Sequence, residues 1–168
     1  MVNVVLVTPI GTLGVARYYH KEYIDRVFFL DPTSLVPLPN IREDFLKKIE
    51  EWFLGYFSNA RPDYSLPLFL NNKGTPYQRK VWRALLHIPF GETKTYGELA
   101  KALNTSAQAI GMACKVNPLP ILIPCHRVVA HNSLGGYFGQ TDGEKRDIKA
   151  WLIQHEKAQG SYRGFIGG

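Results

Sequence analysis

The sequence TYGELAKALNTSAQAIGMACKV, from Thr95 to Val116, predicts two short helices joined by a tight turn. Thr95 and Glu98 have the spacing of a capping box, which starts a helix. After a turn at Asn104, the second helix carries small and apolar residues that can face inward: Ala107, Ile110, Ala113 and Cys114. Two helices connected in this way have the outline of a helix-turn-helix, although most helix pairs bind no DNA.

Composition places this helix pair in a basic globular chain. The 168 residues include 20 Lys and Arg against 14 Asp and Glu, which gives a net charge of +6 and a pI near 9.3. This balance favours a polyanionic partner, either nucleic acid or an anionic membrane, but it also fits a protein that is merely basic. The length suits one large domain or two small ones.

The cysteine count and the apolar runs narrow the choice of compartment. Two cysteines cannot form a disulfide framework, and no Cys/His cluster has the spacing of a zinc site. No apolar run approaches the ~18 residues that span a membrane, and the first residues are typical of a strand and not of a signal peptide. These features predict a cytoplasmic protein with free thiols and neither a metal site nor a membrane segment.

Before the helix pair, the chain predicts a small antiparallel sheet covered by one helix. Three runs have strand composition and are separated by turns: VNVVLV (2–7), GVARYYH (14–20) and DRVFFL (25–30). From Arg42 to Phe57, apolar residues recur at helical spacing. A Pro- and Asn-rich linker follows at residues 59–74. We therefore expect an α/β (α+β) chain with an N-terminal lobe at residues 1–70 and a mostly helical C-terminal domain at 71–168.

Two further helices flank the helix pair in the C-terminal domain. The first begins at Thr75, a good N-cap residue, with Pro76 at the first helical position. The second is predicted within residues 144–158, and one of its faces carries Ile148, Trp151, Leu152 and His155. Between the pair and this last helix runs NPLPILIPCHRVV (117–129), which contains one of the two cysteines.

Cys125 lies in that apolar run, directly before His126. Free cysteines are commonly buried as small hydrophobic residues, which explains Cys114 on its helix. His126 and Arg127, however, bring positive charge that favours a reactive thiolate. Residues 121–123 are predicted to form a buried strand, which would hold the sulfur rigidly. Neighbouring side chains on a strand point to opposite faces, so His126 reaches Cys125 only through a bend or a water. The residues alone leave a core cysteine and a nucleophile about equally open.

The segment from Asn117 to Val129 resembles the active-site signature of the O6-alkylguanine-DNA alkyltransferases, also called methylated-DNA–protein-cysteine methyltransferases. The likeness extends from about Thr75 to Glu156, roughly half of the chain. Four separate segments carry it: FGETKTYGELA (90–100), AIGMACKVNP (109–118), IPCHRVVAHNSLGGY (123–137) and WLIQHE (151–156). Agreement of several independent segments makes this resemblance specific.

The resemblance implies a DNA repair protein that flips O6-alkylguanine, chiefly O6-methylguanine, out of the duplex and transfers the alkyl group irreversibly to Cys125. Each molecule would act once, without a cofactor, because a thioether does not hydrolyse. His126 would relay a proton through a water, oriented by Glu156. Asn117 would hold the joint between the recognition helix and the active-site segment. Tyr137 would donate to the base or the leaving group.

The resemblance also implies contacts to DNA by a monomer. Tyr96 would help to rotate the phosphate of the target nucleotide, and the backbone N–H of Phe138 would contact O6. Position in the helix-turn-helix suggests further contacts to double-stranded DNA: Tyr77, Asn104, Ser106 and His131. Close approach to the minor groove would be allowed by three small residues, Ala107, Ala109 and Gly111. Arg127 is expected to pair with a carboxylate and not with DNA.

Gln108 departs from the family pattern, which has an arginine at this position. That arginine fills the space left by the flipped guanine and pairs with the orphaned cytosine. Glutamine is shorter and uncharged, and Thr105 with Gln108 also has the spacing of a capping box that would engage the side chain locally. The sequence therefore predicts weaker capture of the extrahelical base than in a relative with arginine.

Two other functions remain open on the sequence alone. A protein that binds alkylated guanine without repairing it would lack the nucleophile, so Cys125 argues against it. A thiol hydrolase with a Cys–His–Glu site would turn over many substrates and would have no need of a helix-turn-helix.

Overall fold

The computed structural model describes residues 2–18, 21–31, 33, 43–60, 64–70 and 73–163, with side chains of the last helix described to residue 160. The mixed α/β class predicted from the sequence is confirmed. The chain divides into two compact units, Met1–Lys73 and Gly74–Gly168. Residues 19, 20 and 42 of the predicted elements, and residues 61–63, 71 and 72 of the predicted linker, lie outside the described residues.

The described residues of the first unit form a three-stranded antiparallel sheet with one helix. Its strands are β1 (Val4–Thr8), β2 (Gly11–Arg17) and β3 (Ile24–Leu30), in the order β1-β2-β3. Val4 pairs with Val15, and both side chains are fully buried, so alternate residues form one apolar face. Helix α1 (Asp44–Phe57) buries a stripe against this unit's core: Phe45, Leu46, Ile49, Trp52, Phe53 and Tyr56.

Four helices and a two-stranded parallel pair make up the part of the second unit that the structure describes. In chain order these are α2 (Pro76–Leu85), β4 (Lys94–Thr95), α3 (Tyr96–Leu103), α4 (Ala107–Lys115), a single 3-10 turn at Cys125–Arg127, β5 (Val128–Val129) and α5 (Gly143–Arg163). The capping box predicted at Thr95 is confirmed, and Thr75 caps α2 in the same way with Gln78. In the described part of the chain, none of the helices has the length and apolar character needed to cross a lipid bilayer.

The connection between α3 and α4 corrects the prediction for Gln108. Asn104 ends α3 in the left-handed conformation, with φ of 52°, and the Thr105 N–H closes that helix by donating to the Ala100 carbonyl. Helix α4 therefore starts later than a capping box at Thr105 requires. Its N-cap is Ser106, whose hydroxyl accepts from the Ala109 N–H at 3.1 Å. The predicted capping box between Thr105 and Gln108 is thus wrong.

The inward face predicted for α4 is confirmed at three of its four residues. Ala107, expected to face inward, is exposed because it occupies the first position of α4, whereas Ile110, Ala113 and Cys114 are buried. The hydroxyl of Thr105 lies 3.0 Å from that of Tyr77, which ties the turn to α2.

Ile121 and Ile123 are buried and Leu122 is half-buried, but the strand predicted for residues 121–123 is wrong. Pro120 and Pro124 flank these residues, and proline lacks the N–H that a sheet ladder needs. The chain turns instead: the Ile123 N–H donates to the Leu119 carbonyl at 2.8 Å, and Ile121 has φ of 73°. The apolar pattern therefore predicted burial correctly and conformation wrongly.

The buried face of α5 is also shifted from the predicted one. Ile148 and Leu152 are buried as expected, but Trp151 and His155 are only half-buried and stack on each other with ring centroids 4.5 Å apart. Their places on the inner face are taken by Lys149, Ile153 and Glu156. Two charged side chains in a buried stripe need partners within the unit.

Candidate active site

Cys125 lies at the start of the 3-10 turn, where the side chain of Asn117 holds it from one side. The Asn117 amide nitrogen lies 3.1 Å from the Cys125 sulfur and donates to the Ile123 carbonyl at 2.8 Å. The Asn117 side-chain oxygen accepts from the Leu119 N–H at 2.9 Å. All of these atoms are buried, so one asparagine links the end of α4 to the segment that carries the thiol.

Glu156 is the centre of a buried polar cluster behind the thiol. One carboxylate oxygen lies 2.6 Å from Nε2 of His126, and the guanidinium of Arg127 donates to both oxygens at 2.8 and 3.0 Å. The Gly91 N–H adds a further hydrogen bond at 3.1 Å, and Arg127 also donates to the Ile88 carbonyl. The expected pairing of Arg127 with a carboxylate is confirmed.

This cluster defines the protonation of His126. Burial alone would raise the pKa of Glu156, but the hydrogen bonds from His126 and Arg127 and the positive charge of the Arg127 guanidinium hold that pKa well below its usual range. Burial lowers the pKa of His126, against the opposing effect of Glu156, so the imidazole is neutral at pH 7. A carboxylate only accepts hydrogen bonds, so Nε2 carries the proton. The buried Nδ1 has no hydrogen-bond partner among the described residues and retains a lone pair.

A cavity of about 720 Å³ opens above the thiol. Helix α4 forms one wall, the start of α3 another, and the segment 136–139 the third. The lining includes three glycines and three aromatic residues: Gly97, Gly111, Gly136, Tyr96, Tyr137 and Phe138. The sulfur of Cys125 is therefore presented to a space that is large enough for a planar base and mainly apolar in its walls.

The environment of Cys125 has opposing effects on its acidity. Burial raises the pKa of the thiol to about 11, while the Asn117 amide, the Lys149 ammonium and the Tyr137 hydroxyl oppose the rise. In the absence of substrate the group is a thiol at neutral pH. A reaction at the sulfur consequently needs a proton acceptor, and the neutral imidazole of His126 is next to it in sequence.

Known proteins resemble this chain in both sequence and fold. The profile of the 6-O-methylguanine DNA methyltransferase DNA-binding domain matches residues 76–158. The constitutive methylated-DNA–protein-cysteine methyltransferase of Bacillus subtilis is 38% identical over 164 residues, covering 89% of this chain and 92% of the relative. The Methanosarcina acetivorans methyltransferase of the same name is 33% identical over 154 residues, covering 89% and 94%.

The chain belongs to the methylated-DNA–protein-cysteine methyltransferase family. Solved structures agree with the sequence comparison. The crystal structure of the Mycobacterium tuberculosis O6-methylguanine methyltransferase has a TM-score of 0.77 at 31% identity and covers 95% of this chain and 94% of that one. The OGT protein of the same organism in complex with DNA has a TM-score of 0.74 at 30% identity and covers 92% of each chain.

Within this methyltransferase fold, the residues predicted from the sequence lie at the cavity, behind the thiol and in a second groove, with Asn104 outside all three places. The cavity brings together Cys125 and Tyr137 with three of the expected DNA contacts, Tyr96, Gln108 and His131. Asn117, His126 and Glu156 support the thiol from behind. A smaller groove of about 330 Å³ on the other side of α4 is lined by Tyr77 and Ser106, and Gln108 borders both spaces. Asn104 lines neither and serves as the left-handed end of α3.

Lys149 is a site residue that the sequence reasoning missed. Its side chain is fully buried, and Nζ donates to the Val128 carbonyl at 2.5 Å and to the Gly136 carbonyl at 2.8 Å. The hydroxyl of Tyr96 lies 3.5 Å away. Burial lowers the pKa of Lys149 to about 8, so the amine is largely charged at pH 7. Lys149 lies four residues before the buried Ile153 and seven before Glu156, so the three share one helix face. This spacing in the sequence was the available indication that Lys149 is buried.

We expect Lys149→Met to slow alkyl transfer and to destabilise the second unit. The methionine fills similar space but removes the lysine donor from the buried Val128 carbonyl, at about 1–3 kcal/mol. Among the described residues, the half-buried Gly136 carbonyl keeps only the long hydrogen bond from the Tyr96 hydroxyl, at 3.4 Å. The substitution also removes the positive charge that lowers the pKa of Cys125. Denaturant unfolding and the rate of Cys125 alkylation measure the two effects. Lys157→Met, an exposed change on the same helix, serves as the control, and equal behaviour of the two variants would contradict this role.

Proposed function

We propose that this chain repairs DNA by taking an alkyl group from O6 of guanine, chiefly O6-methylguanine, onto Cys125. The observation that carries the proposal is the thiol at the floor of an apolar cavity, held by Asn117 and backed by the buried His126–Glu156 pair. Membership of the methyltransferase family supports the same chemistry. Each molecule reacts once, because the thioether that forms is not hydrolysed under physiological conditions.

The proposed reaction is a one-step displacement. The thiol proton passes through a water to Nδ1 of His126, and the sulfur attacks the alkyl carbon. The bond between that carbon and O6 breaks, and its electron pair remains on guanine. Tyr137 and Phe138 line the cavity into which Cys125 opens. We assign the Tyr137 hydroxyl and the Phe138 N–H as the donors that stabilise the negative charge on the leaving base.

Glu156 acts in this proposal as a positioning residue and not as a base. Its carboxylate already accepts from His126, Arg127 and Gly91, and its pKa is held low. It therefore keeps the proton on Nε2 of His126, which leaves Nδ1 free to accept the proton from Cys125. The acid fixes the tautomer while the imidazole moves the proton.

For binding, we propose that the monomeric protein inserts α4 into the minor groove of a duplex and receives the extrahelical base in the cavity. Tyr96, Gln108 and His131 at the cavity, with Asn104 and Ser106 at the turn of the helix pair and Tyr77 at the start of α2, then contact the sugar-phosphate backbone and the vacated position. The positive net charge favours such binding and makes it salt-dependent. Free, unlinked thiols suit a reducing compartment such as the cytoplasm.

We expect Gln108→Arg to speed repair of duplex DNA. Gln108 is exposed at the edge of the cavity, and no capping box holds its side chain. A charged donor adds about 1 kcal/mol over a neutral one in a hydrogen bond, which corresponds to about a fivefold faster repair. Single-turnover rates on a lesion-bearing duplex measure the gain, and the same lesion in a single strand is the control. Equal duplex rates for the two proteins would contradict weakened capture by Gln108.

One experiment separates the proposed function from its alternatives. The protein is incubated with an excess of duplex containing O6-methylguanine, digested and weighed by mass spectrometry. Stoichiometric gain of one methylene mass on the Cys125 peptide supports repair. Tight binding without a change in mass would indicate a protein that only senses the lesion. If the protein neither binds the duplex nor gains mass, both repair and lesion sensing are overturned, and a thiol hydrolase is the function to test next.

A further inference from the structure

Residues Tyr137 to Gln140 form a two-residue hairpin turn at the cavity wall. The Tyr137 N–H donates to the Gln140 carbonyl at 2.8 Å, and the Gln140 N–H donates back to the Tyr137 carbonyl at 3.0 Å. The central residues Phe138 and Gly139 have φ of 48° and 77°. Two positive φ values between reciprocal hydrogen bonds define a type I′ turn.

Phenylalanine is a poor residue for the first central position of such a turn. Asn, Asp and Gly dominate there, because a larger side chain is strained at positive φ. Gly139 at the second position fits the rule. A bulky residue that persists in a sparsely populated conformation points to a use for its side chain.

The turn places the Phe138 ring against the cavity. Phe138 lines the space above Cys125, is half-buried, and meets the Tyr137 ring edge-to-face at a centroid distance of 4.5 Å. The far side of the turn is braced from α4, because the Lys115 stem lies where a side chain on Gly139 would have to be. This contact packs the turn against α4, whose wall of the cavity lacks a side chain at Gly111.

We propose that Phe138 is a stacking residue for the extrahelical purine. A planar base that enters the cavity meets an aromatic face on the turn side and a wall of small residues on the α4 side. Stacking on an aromatic ring stabilises any base, and here it offsets part of the stacking lost when the nucleotide leaves the duplex. This inference rests on the proposed function, since it requires a base to enter the cavity.

The test compares aromatic and non-aromatic residues at position 138. Phe138→Asn gives the turn its preferred residue and removes the ring, whereas Phe138→Leu keeps an apolar side chain of similar size under the same strain. Phe138→Tyr and Phe138→Trp retain an aromatic face. Every variant keeps the backbone N–H at this position. Single-turnover methyl transfer is measured at sub-saturating O6-methylguanine duplex, with thermal unfolding as the check on folding.

We expect the Asn and Leu variants to react about tenfold more slowly, within the range measured when aromatic stacking partners of bases are removed. The Tyr and Trp variants should react at close to the wild-type rate, and the Asn variant should melt no lower than wild type. Equal rates for Leu, Asn and wild type, or equal losses in aromatic and non-aromatic variants, would overturn the stacking role. If the wild-type protein itself takes up no methyl group, the proposed function fails, and that result is distinct from a failure confined to position 138.

Discussion

Cys125→Ser is expected to abolish methyl uptake from O6-methylguanine duplex while preserving binding of that duplex. Serine fits the buried site, and its hydroxyl can still accept from the Asn117 amide that now faces the sulfur. An alcohol is a far weaker nucleophile than a thiol at its ordinary pKa, so the displacement stops although the cavity is unchanged. Mass spectrometry after incubation should show no added methylene, and gel-shift titration should show retained affinity for the lesion.

The second cysteine provides the matched control for this experiment. Cys114 lines the same cavity and is also buried, but burial raises the pKa of its thiol with no hydrogen bond from Asn117 to oppose the rise. Cys114→Ser should therefore leave stoichiometric uptake on Cys125 intact. Methylation of Cys114 in the Cys125→Ser protein would show that the cavity activates either thiol, and it would contradict a site built around one nucleophile.

Local chemistry explains which parts of the fold were predictable. The capping box at Thr95 and Glu98 depends on residues three apart and formed as predicted. The capping box expected at Thr105 and Gln108 has the same spacing and did not form, because the left-handed Asn104 closes α3 and leaves Ser106 as the next N-cap. The motif identifies candidate helix starts, and the preceding turn decides between them.

Longer-range features of the site required the structure. An apolar run predicts burial, but only the constraint from Pro120 and Pro124 converts Ile121 to Ile123 from a strand into a turn. The 3-10 turn that follows, Cys125–Arg127, explains how adjacent residues can act together, because the Cys125 and His126 side chains project from a turn and not from a pleated strand. Lys149 escaped prediction because lysines are seldom fully buried, and its carbonyl partners are distant in sequence.

Glu156→Gln is expected to destabilise the second unit strongly and also to slow alkyl transfer. Removing the carboxylate leaves the buried guanidinium of Arg127 without its counter-ion, a change that costs about 3–5 kcal/mol in comparable buried pairs. The amide can also donate to Nε2 of His126, which shifts the proton to Nδ1 and removes the acceptor for the thiol proton. By analogy with loss of the acid in other His–acid pairs, we expect a rate loss of at least about a hundredfold.

Denaturant unfolding followed by tryptophan fluorescence, with Trp82 buried in the same unit, measures the loss of stability. Glu98→Gln is the control, because Glu98 is exposed and glutamine also completes a capping box. Glu98→Gln should change the free energy of unfolding little. An equally small change for Glu156→Gln would contradict a buried, ionised carboxylate at Glu156.

The pH dependence gives an independent check on the same carboxylate. The pKa of Glu156 is lower in the folded protein than in the unfolded chain, so the unfolded chain binds more protons as the pH falls below the ordinary carboxyl range. The stabilisation is therefore complete above pH 4.5, the ordinary value, and declines toward acid. His126, with a pKa below its usual 6.5, weakens the fold in the same direction but starting from a higher pH. Glu156→Gln should thus flatten the acid decline below pH 4.5, and a parallel decline in both proteins would show that the carboxylate is not held ionised by Arg127.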